Sequence, residues 1–532
     1  LGVGPGDRLE LRSRLRGGGP SQEDIRAAFA LYDTNGDGLL SPDELKAIMC
    51  KPVPGGIART EAQVDALVRQ FDTDGDGMLS MEEISKAWAE QEEHIVTSYW
   101  DEVGRGKPNA SALKAALADT ILVDAAWLAR LADEGGILPR CQDLPPGARV
   151  TLEEMEKWRD PTGSTLGVLV ISYPWWAASH ATPCSSSACS ALSYLHVTHA
   201  LLPPLAHRLD ADHPDKDGLQ LRAISHVLKI FDKHAKEKYS AGCKVGVFLD
   251  YVSMPQRSRG SAEDDRTPEE KATFGKALKG INAWYGHPKT HVLLVDTELP
   301  AGAHTNMQPY ARRGWCVMEY NASGLVKDFT ALISLKGLTG EETNLQQVRR
   351  NGKAARVPPV APAPFASTLE AGVDSGATKF TNRGDVPVVA KIYGWAFAAE
   401  MAAVVALYYL DLEWDDAQVL TLCEALRAAH AGGGLRKLET LMLDGNQMGD
   451  GAAAALAALL EEGAMPNLKV LDLDNNQIAD DGVAALASAL RGGALPACTA
   501  TYLYDNPGSG DPVDEALASP ERAAALARRQ AE

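Results

Sequence analysis

LGVLVISYPW, residues 166–175, is the stretch on which the fold turns. Leu166 to Ile171 are apolar apart from Gly167 and rich in branched side chains, and Pro174 closes the run. A continuous apolar run, rather than an alternating one, marks a strand buried on both faces, as in a parallel sheet. The neighbouring segments agree. LQLRAISHVLKIFDKHAKE (219–237) carries Leu221, Ile224, Leu228 and Phe231 at helical spacing, and VGVFLDY (245–251) is a second buried strand. Thr267-Pro-Glu-Glu opens a helix that runs through Phe274, Leu278 and Ile281; Thr caps, Pro fits the first turn and acids favour the N-terminus. HVLLVDT (291–297) is a third strand. Strands alternating with helices predict a parallel sheet covered by helices. Ligands of such sheets sit beyond the carboxyl ends of the strands. The candidates there are Ser172, Trp175, Asp250 with Gln256 six residues on, and Asp296.

After the third strand comes RRGWCVMEY (312–320). On a helix Trp315 and Glu319 stand at i and i+4, on one face. SYPW, DYVSMPQ, a helix with Tyr285, VLLVD and R-x-W-x-x-x-E, in that order, resemble the fungal heterokaryon-incompatibility (HET) domain. The WCxxE segment in the same order of elements also resembles a TIR domain. The resemblance covers about 165–330 and implies a flavodoxin-like fold. It also implies NAD as substrate, with Glu319 as the catalytic acid and Ser172, Trp175, Asp250 and Trp315 lining the pocket. Breaking a nicotinamide–ribose bond builds oxocarbenium-like charge, which a nearby carboxylate stabilises. The chain departs from the TIR pattern in two places. Arg313 stands where plant-type segments have Ser, and the Gly-Asp-rich loop after the first strand is missing. The competing expectation makes Glu319 a solvated helix residue, or a partner of Arg312 or Arg313, in a domain that only assembles.

DTNGDGLLSPDE (33–44) and DTDGDGMLSMEE (72–83) fit the calcium loop D-x-[DN]-x-[DN]-G-x5-E. Calcium is a hard cation and takes about six to eight oxygens. The first loop offers Asp33, Asn35, Asp37, the carbonyl of Leu39, Ser41 and Glu44; the second offers Asp72, Asp74, Asp76, Met78, Ser80 and Glu83. Gly38 and Gly77 make the turn, and Leu40 and Leu79 are placed for a short β-contact between loops. The flanks repeat too: Ile25, Ala28, Phe29 and Tyr32 before one loop, Val64, Leu67, Val68 and Phe71 before the other. The segment resembles an EF-hand pair over about 21–96 and predicts two calcium sites. Loop two supplies four carboxylates against three in loop one, so it is expected to bind more tightly. The loops do not distinguish a sensor from a buffer.

Near the C-terminus LETLMLDGNQM (438–448) and LKVLDLDNNQI (468–478) repeat LxxLxLxxNx, with Asn446 and Asn476 in phase. LYYLDLEWDDA (407–417) is read as a third unit with Asp415 in place of Asn, and CTATYLYDNPG (498–508) as a fourth with Asn506. The pattern resembles a leucine-rich repeat of the ribonuclease-inhibitor type. It implies a concave face that binds a protein partner, with Thr440, Met442, Lys469 and Asp472 exposed on it.

Length supports several domains, because 532 residues exceed the roughly 250–300 that one core serves. The expected division is a flexible tail at 1–20, the EF-hand pair at 21–96, a connecting segment at 97–160 and the α/β domain at 161–337. A Pro-rich linker at 338–395, repeats at 396–515 and a C-terminal helix or tail at 516–532 complete it. The fold class is thus multidomain α and α/β: an EF-hand helical pair, a flavodoxin-like parallel sheet and a short repeat solenoid. A net charge of −19 argues against nucleic acid as partner. No apolar run approaches the roughly 20 residues of a membrane span. Eight cysteines without a CxxC pair read as reduced thiols of a cytoplasmic, intracellular protein. The chain starts at Leu1, so N-terminal targeting is not read. The function expected is a calcium-binding signalling protein that cleaves NAD under calcium control. The alternative is a non-enzymatic scaffold, self-associating through the α/β domain and binding a protein through its repeats.

Overall fold

The structure is a computed structural model. It describes residues 33, 37–49, 68, 76–80, 116–156, 167–174, 213–257 apart from 216, 264–298, 308–328, 330–380 and 382–531. The chain divides into two compact units, Leu1–Ala110 with Met155–Leu166 and Ser111–Glu154 with Gly167–Glu532.

In the first unit β1 (Leu39–Leu40) pairs antiparallel with β2 (Leu79–Ser80), Leu40 opposite Leu79. This is the contact expected between paired loops. Helix α1 (Pro42–Met49) follows, with Asp43 and Glu44 in its first turn, where carboxylates favour the positive end of the dipole. Leu40, Leu45 and Val68 are buried.

The second unit opens with β3 (Leu122–Asp124) and α2 (Ala125–Asp133). β4 (Arg149–Val150), β5 (Val168–Ser172), α3 (Leu219–Lys238), β6 (Gly246–Phe248) and α4 (Asp250–Ser253) follow. Next come α5 (Pro268–Gly280), α6 (Asn282–Tyr285), β7 (His291–Leu294), α7 (Gly314–Ser323) and β8 (Leu332–Ser334). The sheet order is β4-β3-β6-β5-β7-β8. β5 pairs parallel with β6 and β7, and β7 with β8. Counted from β5, the parallel strands run 2-1-3-4, the order of a doubly wound sheet. The three strands expected from their apolar runs all form, and Thr267 and Glu270 close the capping box on α5.

Two expectations are corrected. The segment at 97–160 is not merely connecting. Its β3 and β4 extend the sheet antiparallel past β6, Val123 opposite Val247. β3 runs straight into α2, with Asp124 as cap accepting from the Ala126 amide. Nor is 338–395 a linker. Pro362 starts α9 (Pro362–Asp374), which follows α8 (Leu345–Asn351) and precedes α10 (Asp385–Ala403). The prolines lead into a helix, where a missing N–H costs nothing. Tyr393 of α10 stacks on Phe365 of α9 at 3.9 Å between ring centres, and its hydroxyl donates to Val360 O at 2.6 Å.

The repeats follow without a break. β9 (Ala406–Tyr408), β10 (Thr440–Met442), β11 (Val470–Asp472) and β12 (Ala500–Tyr502) form a parallel sheet in chain order. Between them lie α11 (Asp416–Ala431), α12 (Asp450–Glu461) and α13 (Asp480–Arg491). Asn476 Oδ1 accepts from Met448 N, and its amide donates to Leu443 O and Leu473 O. Asn446 and Asn506 bond in the same way one repeat before and after. The first repeat is corrected in register. Thr440 pairs with Ala406, a spacing of 34 rather than 31. Asp415 takes no Asn role; it caps α11, accepting from Ala417 N and Gln418 N.

Candidate functional site

Ser172 ends β5, the strand between β6 and β7. Its partner on β7 is Leu294. On β6 the register pairs Val170 with Phe248, where that strand ends, and Asp250 two residues on opens α4. Adjacent strands lie about 4.8 Å apart, and side chains two apart share a face. The chain passes from β5 to β6 on one side and from β6 back past β5 to β7 on the other, so the strand order reverses between β5 and β7, the switch point at which doubly wound sheets bind ligands.

Helix α7 brings the acid. Its first residue is Gly314, whose amide donates to Lys379 O at 3.0 Å. The Phe380 ring lies over that backbone, and a Cβ on Gly314 would sit 1.9 Å from it. The helix buries Cys316, Met318, Glu319, Ala322 and Ser323. Glu319 is 7% exposed, which overturns the expectation of a solvated residue. The Ser172 hydroxyl donates to Glu319 Oε2. Tyr310, in the turn before α7, has its hydroxyl 2.5 Å from Ser172 Oγ; with Ser172's proton committed to Glu319, Tyr310 donates. The Tyr285 hydroxyl approaches from α6, donating to Ile171 O at 3.3 Å, near enough to Glu319 to act on its carboxyl.

Burial pushes the Glu319 carboxyl up to about 8, and the nearby Asp250 charge adds to the rise. The Ser172 and Tyr285 hydroxyls oppose it, since bonds to the charged form favour that form. Burial also raises Tyr285, Tyr310 and Cys316. A carboxyl neutral at pH 7 beside a second carboxylate is the arrangement of acid–base sites.

The expected pocket residues meet different fates. Ser172, Asp250 and Glu319 come together. Trp315 does not join them: its indole donates to Asp385 of α10 at 3.2 Å. Gln256 is a brace, donating from Nε2 to Asp250 O and Met254 O. Asp296 faces β8, accepting from Ser334 Oγ and Lys336 N. Arg313 Nε donates to Gln308 O. Trp175 lies outside the described residues. Tyr310 was missed by the sequence reading, because nothing in its neighbourhood ties it to Ser172, 138 positions earlier.

In the first calcium loop Asp33 accepts from Asp37 N and Gly38 N, and Asp37 from Leu39 N. Gly38 and Gly77 have φ of +83° and +80°, the left-handed turn the sixth position requires. Glu44 accepts from the amide and hydroxyl of Ser41. In the second, Asp76 accepts from Met78 N, and Ser80 lies in β2. Asn35, Asp72, Asp74 and Glu83 lie outside the described residues. Among the described residues no three acidic, His or Cys side chains converge on one point. The backbone and the oxygen-rich donors still fit a hard cation.

On the face of the repeats Tyr408, Met442, Asp472 and Tyr502 stand side by side by register. Thr440 and Met442 are half-buried, Lys469 is exposed and pairs with Glu439 at 2.9 Å. Asp472 is corrected: it is buried and accepts from Asp474 N.

Comparison with known families places an EF-hand domain pair at residues 22–89 and leucine-rich repeats at 434–457 and 464–487. The N-terminal pair supports calcium binding, and such repeats are typical of protein interaction. Neither comparison reaches the α/β domain. Curated proteins and solved structures gave no match. Among the described residues no helix is long and apolar enough to cross a membrane.

Proposed function

We propose that this is an intracellular, cytoplasmic calcium-binding signalling protein whose α/β domain cleaves NAD at Glu319 under calcium control. The observation that supports the chemistry is the bond from the Ser172 hydroxyl to Glu319 at the carboxyl end of β5, where doubly wound sheets hold ligands. Glu319 in its ionised form would face the ribose and stabilise the oxocarbenium-like charge that builds as nicotinamide leaves. Asp33, Asn35, Asp37, Leu39, Ser41 and Glu44 would hold one calcium; Asp72, Asp74, Asp76, Met78, Ser80 and Glu83 would hold the other. The TIR/HET-like resemblance of residues 165–330 is part of this reading. Nicotinamide release from NAD, followed with and without calcium, tests it. Turnover that depends on calcium and is lost in Glu319→Gln supports it; no turnover in any calcium or assembly state sinks it.

A second reading has its own support in the Trp315 indole bonded to Asp385. This bond turns the largest side chain of the segment toward α10 and leaves the α/β domain as a scaffold. It would self-associate through that domain and bind a protein on its repeats. Light scattering with and without calcium would register a change in assembly without nicotinamide release.

A further inference from the structure

The repeat sheet carries its charge at one end. The loops that leave its strands, 411–417, 444–451, 474–482 and 504–511, hold four, two, three and two acids in turn and no Lys, Arg or His. The loops that enter β10, β11 and β12, at 432–439, 462–469 and 492–499, hold three cations and two acids. Some of the acids serve the fold. Asp415 caps α11, Asp416 accepts from Gly449 N, Asp450 from Ala479 N and Gly482 N, and Asp474 from Tyr504 N. Glu413, Asp481 and Asp505 are exposed, each in a different loop. Among the described residues no three acids converge to hold a metal ion, so the rim suits a row of separate cations rather than a single one.

The sheet face beside the rim is a second feature. Leu441, Leu443, Leu471 and Leu473 are buried in the core of the repeats. Alternate residues of a strand point the other way, and Thr440, Met442, Val470 and Tyr502 are half-buried on that opposite face. Tyr504 lies two residues past Tyr502, hence on the same face, and is 54% exposed. Its neighbour in the chain is Asp505. An exposed aromatic ring among exposed carboxylates favours guanidinium over ammonium, because guanidinium both stacks on rings and forks onto carboxylates.

We propose that this face docks an arginine-bearing basic segment of a partner protein, with its guanidinium groups on Tyr504 and the acidic rim and its apolar side chains on Thr440, Met442 and Val470. This rests on the reading of the repeats as a protein-binding face and names the partner's chemistry. Charge complementarity selects the occupant. A second copy of the chain, with a net charge of −19 and the same rim, would bring like charge to the face. Four strands about 4.8 Å apart span about 14 Å, the length of about four extended residues. A short segment is therefore long enough to reach from Glu413 at one end of the rim to Asp505 at the other.

The test is calorimetry on the full chain with octa-arginine and with octa-lysine, with calcium present throughout so that the calcium loops are filled. Octa-arginine is expected to bind about threefold more tightly than octa-lysine, and both more weakly as salt rises. Neutralising the rim with Glu413→Gln, Asp481→Asn and Asp505→Asn together is expected to weaken octa-arginine about tenfold. A control chain with Glu424→Gln, Glu461→Gln and Glu515→Gln loses the same charge from exposed positions on the helices. It is expected to stay within about twofold of the parent, since distant charges are screened. Tyr504→Ala is expected to bring octa-arginine down to the level of octa-lysine. Equal losses in the two triple variants, no loss in the rim variant, or equal binding of the two peptides by the parent overturns the proposal. Rim-dependent binding in a chain that does not assemble upholds this inference and sinks the scaffold reading. Assembly without rim-dependent binding does the reverse.

Discussion

The Ser172 hydroxyl donates to the Glu319 carboxyl across 147 positions of chain, tying the end of the central strand β5 to helix α7. The bond sits where solvent barely reaches, with Ser172 at 0% and Glu319 at 7% exposure.

A pH effect on stability follows. The Glu319 carboxyl lies at about 8 in the folded chain against 4.5 ordinarily. Between these values the folded state binds more protons than the unfolded one, so stability falls as pH rises. The contribution is complete below about 4.5 and lost above about 8, on the order of 5 kcal/mol at about 1.4 per unit. Glu319→Gln is expected to be indifferent to that titration and more stable than the parent at pH 9. Urea unfolding at pH 5, 7 and 9, compared between the two chains, checks it. Parallel pH profiles for parent and variant would refute the prediction.

Gly314 is required by its neighbour rather than by its backbone angle. A Cβ there meets Phe380 at 1.9 Å, so Gly314→Ala is expected to cost about 1–3 kcal/mol through overpacking. Phe380→Ala in the same chain should recover part of the loss. A double-mutant cycle by thermal unfolding measures the coupling; strict additivity would disprove the contact as cause.

The asparagine ladder should be worth more than the helix cap beside it. Asn476 is buried and bonds Met448 N, Leu443 O and Leu473 O. Its replacement by Ala strands buried backbone groups, at about 1–3 kcal/mol each before relaxation. Asp415→Ala removes only an N-cap, about 1 kcal/mol. Denaturation midpoints of the two variants should fall in that order.

The calcium loops are expected to be unequal. Loop two offers four carboxylates to three in loop one, and ligand charge strengthens binding. Titration calorimetry should therefore lose the tighter site in Glu83→Gln and the weaker one in Glu44→Gln. Loss of the tighter site in Glu44→Gln would contradict the charge argument.

What was legible in the sequence was what is local. A buried parallel strand needs only its own apolar residues, and a calcium loop carries its ligands within twelve positions, so β5, β6, β7 and the loops stood out. β3 did not, because three residues that run directly into a helix leave no strand-length signal. The first repeat misled for a different reason. Leu407, Leu410 and Leu412 imitate the repeat, yet so do Val404, Leu407 and Tyr409, three positions away. The second frame wins because Tyr409 is fully buried and donates to Leu325 O, while Trp414 donates to Arg356 O. Those contacts are long-range and leave no trace in the period. Ser172, Asp250 and Glu319 were legible through strand ends and motif order; Tyr310, brought in by a turn, was not.

Arg356 gives the second unit a mechanical character. Its guanidinium donates to Gly324 O at the end of α7 and to Tyr408 O in β9, and lies over the Tyr409 ring. The residue after the Glu319 helix and the first repeat strand are therefore clasped by one planar group. A shift of the first repeat strand would bear on the residue that closes the Glu319 helix through a single side chain.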